Sequence, residues 1–95
     1  MTRDEALSIL RSQQRVLEER YGVQRIGVFG SVARNEAADE SDVDVVVEMA
    51  PDLYGMVHVK EHLEQAFGAP VDLIRRREHM NPFLRERIDR DAVYA

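Results

Sequence analysis

Cysteine is absent from this chain, which excludes a disulfide framework and a thiolate-ligated metal site. Long hydrophobic runs are absent too. No stretch approaches the roughly 20 apolar residues of a membrane-spanning helix, and Met1-Thr2-Arg3-Asp4 does not open a signal peptide. A cytoplasmic location with no membrane partner is therefore expected. Lysine is nearly missing, with Lys60 the only one, so basic charge falls to arginine; a GC-rich coding sequence accounts for this. There is no excess of positive charge either. A net charge of −5 argues against general nucleic-acid binding. Nor is there room for a second domain, since 95 residues make one small domain spanning 1–95. The remaining composition, 44% hydrophobic and 33% charged, is that of an ordinary globular chain rather than a disordered one.

Thr2-Arg3-Asp4-Glu5 reads as a capping box. Leu7, Leu10, Leu17 and Tyr21 then recur at helical spacing, with Gln14 on the same face and Gly22 as the stop. Val23 to Phe29 reads as a first strand, Ile26 and Val28 alternating with Arg25 and Gly27. Gly30-Ser31 breaks it, and Val32-Ala33-Arg34 begins a short helix. Asn35 to Glu40 is polar and loop-like. Asp42 to Glu48 reads as the second strand, with Val43, Val45 and Val47 on one face and Asp42, Asp44 and Val46 on the other. A second long helix is expected after Pro51-Asp52, with Leu53, Met56, Val57, Leu63 and Phe67 as its apolar stripe and Gly68 as its stop. Val71 to Ile74 reads as a third strand, and Asn81-Pro82 opens a last helix that carries Leu84 and Ile88 towards the core. The expected fold is α/β (α+β), a small mixed sheet with helices in the order α-β-(α)-β-α-β-α. The short step between the first two strands makes them antiparallel, and the helical crossover makes the third parallel to the second.

The chemistry concentrates at the first two strands. A strand ending in Gly30-Ser31 offers backbone N–H groups and a hydroxyl to a phosphate. Ten residues later, Asp42 and Asp44 leave the same face of a valine-rich strand. Carboxylates there are costly unless paired or metal-bound, and no cation neighbours them in the strand. Asp72 repeats the pattern in the third strand, where it either completes a three-carboxylate metal site or points to solvent from a sheet edge. His58 and His62 have helical i, i+4 spacing but no His-Glu-x-x-His pattern, and read as surface residues. Arg75-Arg76-Arg77 reads as a solvated turn or as a basic steering patch.

Phe29-Gly30-Ser31, the ten-residue spacing, Asp42-Val43-Asp44-Val45 and the later Asp72 together resemble the DNA polymerase β-like nucleotidyltransferase superfamily. The chain's size and the text from Gly30 to Asp44 are similar to its minimal, MntA-type members, the antitoxins. The resemblance covers nearly the whole chain. It implies that Gly30 and Ser31 hold the triphosphate of ATP, aided by the short helix start, with Arg34 as a further phosphate contact. It also implies that Asp42 and Asp44 bridge two Mg²⁺ ions, Asp72 holding the second and helping to deprotonate the attacking hydroxyl. Two positions depart from the pattern: Asn35 stands where glycine is common, and Val32 replaces a polar residue. The implied activity is transfer of AMP from ATP to a tyrosine of a HEPN-type toxin, in a toxin–antitoxin pair. A non-catalytic antitoxin that masks its toxin, and a transferase acting on a small hydroxylated molecule, are the alternatives. A homodimer or a hetero-complex is open, because a sheet with helices mainly on one face leaves apolar surface.

Overall fold

Capping signals delimit the helices where the sequence places them. In the computed structural model, which describes residues 1–38 and 42–95, α1 runs from Arg3 to Tyr21, and the Thr2 side chain accepts a hydrogen bond from the Glu5 amide at 3.1 Å. Gly22 ends α1 in the left-handed conformation, φ 68°. The strand β1 (Arg25–Phe29) feeds the one-turn helix α2 (Gly30–Ala33). The loop reading over Asn35 to Glu40 is covered only as far as Ala38; Asp39, Glu40 and Ser41 lie outside the described residues. Then come β2 (Val43–Glu48), α3 (Leu53–Phe67), β3 (Val71–Arg75), α4 (Pro82–Asp91) and β4 (Val93–Tyr94). Asp52 caps α3 through the Gly55 amide at 2.9 Å, and Asn81 caps α4 through the amides of Phe83 and Leu84, with Pro82 at the first turn.

The sheet order is β3-β2-β1-β4. β1 and β2 are antiparallel and β2 and β3 parallel, as expected from the connection lengths. The alternation of β2 divides the interior in two. Val43, Val45 and Val47 join Ile26, Val28 and the buried faces of α1 and α3 in the larger core. Val46 and Phe29 point the other way and pack on Ile88 of α4. Helices therefore cover both sides of the sheet, with α4 alone on the side that carries Asp44.

Two expectations are corrected. The order gains a final strand: β4 pairs antiparallel with β1, Tyr94 opposite Gly27. A Cβ at Gly27 would lie 2.5 Å from the Val93 carbonyl oxygen, so this glycine allows the close approach of β4. The stripe of α3 is also rotated. Leu53 is 81% and Val57 48% exposed, while Gly55, Val59, Leu63 and Phe67 are buried. Packing against α1 and the sheet selects one of two apolar phases available to this helix.

Candidate active site

The row of residues Phe29, Asp44 and Asp72 defines the site. Phe29 is the Cα partner of Asp44 across the β1–β2 ladder, and Asp72 is the partner of Asp44 across the β2–β3 ladder. Paired residues share a face, so both carboxylates lie on the α4 side of the sheet. Asp42 lies just before β2, two residues from Asp44, and is exposed. Asp72 is exposed on the edge strand β3, and Asp44 is half-buried. The three acids expected from the sequence thus gather at one end of the sheet, and the Gly30-Ser31 turn joins them.

Gly30 has φ 68°, and a Cβ built there would collide with the Asp44 carboxylate. The left-handed backbone favours glycine here, and any side chain would also push the Asp44 carboxylate aside. Ser31 is half-buried on α2 next to it. Val32, where a polar residue is common, is buried in the core and offers nothing to a ligand. Asn35 takes φ 58°, the left-handed backbone its side chain tolerates, and its Oδ1 accepts the Arg3 amide at 2.7 Å.

Burial pushes the Asp44 carboxyl above its ordinary value, and the charges of Asp72 and Asp42 push it further. Arg87 and Arg34 oppose them. Among the described residues no three His, Asp or Glu side chains lie close enough together to hold a metal ion. The donor set nevertheless fits a hard divalent cation: it is all carboxylate oxygen, and its central member is unfavourable as a bare anion.

Arg34 is held by Glu36 at 3.0 Å and by Asp91 of α4 at 2.6 Å. Its expected phosphate contact therefore competes with two acids. His58 stacks on Tyr21, centroids 6.0 Å apart, and His62 contacts the Gln13 Oε1 at 2.5 Å, so both histidines join α3 to α1. Arg76 pairs with Asp89 of α4 at 2.7 Å, which makes part of the arginine run an anchor. Arg87, missed in the sequence, approaches the site from α4. Its position in an arginine-rich exposed helix gave no signal.

A family model described as a nucleotidyltransferase domain matches residues 10–95. The protein adenylyltransferase MntA of Thermococcus cleftensis is 38% identical over 96 residues, spanning 99% of this chain and 96% of that protein. A solved structure assigned as a minimal nucleotidyltransferase is 36% identical with a TM-score of 0.70, covering 92% of this chain and 93% of the other. A chain from the complex of tri-AMPylated Shewanella oneidensis HEPN toxin with MNT antitoxin shares the fold at 19% identity. Its TM-score is 0.68, with 98% of this chain and 71% of that one covered. The chain belongs to the nucleotidyltransferase domain family, among its minimal, MntA-type members.

Proposed function

We propose that this chain transfers AMP from ATP to a tyrosine hydroxyl of a HEPN-type toxin in the cytoplasm, and thereby acts as an antitoxin in a hetero-complex. The observation that carries the reading is the lateral pairing of Asp44 with Asp72, beside a glycine with no room for a side chain. The names of two similar proteins support it: one is a protein adenylyltransferase, and one complex joins an AMPylated HEPN toxin to an MNT antitoxin.

Two Mg²⁺ ions, held by Asp42, Asp44 and Asp72, would neutralise the triphosphate and acidify the acceptor hydroxyl. Gly30 lets the Asp44 carboxylate lie against the backbone of the turn, and the Ser31 hydroxyl donates to the phosphate. Asp72, exposed on the edge strand, takes the proton of the acceptor. The acceptor oxygen bonds to the α-phosphorus as the bond from that phosphorus to the bridging oxygen of the β-phosphate breaks, and pyrophosphate leaves. Arg34 adds a phosphate contact once it releases Glu36 or Asp91. Positioning and charge neutralisation carry such reactions, which suits a site without a nucleophile of its own.

The test is co-expression with the toxin and intact-mass measurement of the toxin. Wild-type protein is expected to add AMP and abolish toxicity, and the Asp42→Asn/Asp44→Asn variant to do neither. Full neutralisation by that variant, with no AMP adduct on any toxin, contradicts the proposal.

A further inference from the structure

Ile88 of α4 is fully buried against Phe29 and Val46, which fixes α4 over the face that carries Asp44 and Asp72. The residue before it, Arg87, is exposed. Its guanidinium carbon lies 5.8 Å from the centroid of the Phe29 ring, within cation–π range. Phe29 immediately precedes Gly30 and is the ladder partner of Asp44. The cation therefore stands over the strand end where Gly30, Ser31 and the acids meet.

The other arginines around it are committed. Arg34 is held by Glu36 and Asp91, Arg76 and Arg85 by Asp89, and Arg90 by Asp91. Among the described residues Arg87 has no carboxylate within ion-pair distance. Three carboxylates and a triphosphate together carry more negative charge than two divalent cations neutralise. A guanidinium that breaks no existing pair on engaging a phosphate suits this deficit, and its planar fork matches phosphate oxygens.

We infer that Arg87 is a binding residue for the nucleotide's polyphosphate, steadied on the Phe29 ring before the ligand arrives. The inference rests on the nucleotidyl-transfer reading and adds a residue to it. As a mere surface cation on an aromatic ring, Arg87 would be dispensable for binding.

The experiment is calorimetric titration with Mg²⁺ and either AMP-PNP or inorganic pyrophosphate. Arg87→Ala is expected to weaken both by about tenfold or more, the scale of a lost charged hydrogen bond. Arg87→Lys should recover part of the loss, and the neighbouring Arg85→Ala should stay within about twofold of wild type, since a solvent-exposed pair contributes little. Thermal melts confirm that each variant is folded. Wild-type-like binding of either ligand by Arg87→Ala, with wild type binding both, overturns the inference and leaves the transfer reading intact. A wild-type protein that binds neither ligand overturns both.

Discussion

Asp44 and Asp72 are lateral neighbours on adjacent parallel strands, and the charge of Asp72 raises the pKa of an Asp44 carboxyl already raised by burial. A fold that places two acids side by side, with one half-buried, stores an unfavourable interaction at neutral pH. Relief by the proposed divalent cations would link the stability of this domain to its proposed chemistry.

The first prediction follows from the sign of that shift. A carboxyl raised in the folded state weakens folding as pH rises past the ordinary carboxylate value, and the full cost is present above the raised pKa. Without divalent cations, Asp44→Asn is expected to melt above wild type at neutral pH. The gap should vanish near pH 3, below the usual carboxylate range. Added Mg²⁺ should raise the wild-type melting temperature more than that of Asp44→Asn. Scanning calorimetry across pH, with and without Mg²⁺, checks all three.

Gly22 and Gly30 offer a controlled comparison, because both have φ 68° but only Gly30 faces another group. Alanine at either position is expected to cost about 1–2 kcal/mol of stability through the left-handed backbone. At Gly30 the added methyl also displaces the Asp44 carboxylate. Gly30→Ala should therefore lose nucleotide binding, and Gly22→Ala should keep it. Urea midpoints and AMP-PNP titrations on the pair read the two effects separately.

Much of this arrangement was legible in the sequence. The caps at Thr2, Gly22 and Asn81 and the valine alternation of β2 fixed the main elements, because each acts through near neighbours in the chain. The side-by-side placing of Asp44 and Asp72 followed from the parallel strand order, which the helical crossover made readable. The remainder depended on tertiary packing. β4 is two residues long and has no period to detect, and its only trace is Gly27, whose missing side chain admits the Val93 carbonyl. The phase of α3 was misread at Leu53 and Val57 because apolar residues occupy two sides of that helix. Arg87 was invisible because Arg85, Arg87 and Arg90 look alike until the burial of Ile88 sets the rotation of α4.

Ile88 accordingly governs more than packing. Ile88→Ala should cost about 2–5 kcal/mol, the range for a large aliphatic side chain removed from a close-packed core. That is a large share of the roughly 5–15 kcal/mol that holds a domain together. Equilibrium urea unfolding measures it, and a change under about 1 kcal/mol would show that α4 is held by its ion pairs rather than by this contact.

Asp91 joins α4 to the turn that follows α2. Its side chain is only 5% exposed, and hydrogen bonds from Arg90 and Arg34 hold its pKa below the ordinary value. A depressed carboxyl contributes stability above its unfolded pKa, and that contribution is lost as pH falls through the lowered folded value. Asp91→Asn is expected to lower the urea midpoint at neutral pH and to match wild type in strong acid. An equal deficit at both extremes would assign the effect to packing instead.

The central claim is that the aspartates move a nucleotide, and label transfer tests it most directly. The protein is incubated with Mg²⁺ and ATP radiolabelled on its α-phosphate, in lysate of its own source cell, beside the Asp42→Asn/Asp44→Asn variant. The account predicts a labelled protein band with wild type, absent with the variant, whose labelled residue is a tyrosine of a HEPN-type toxin. An identical label pattern with both proteins, or no label while that toxin is present and still neutralised, would contradict it.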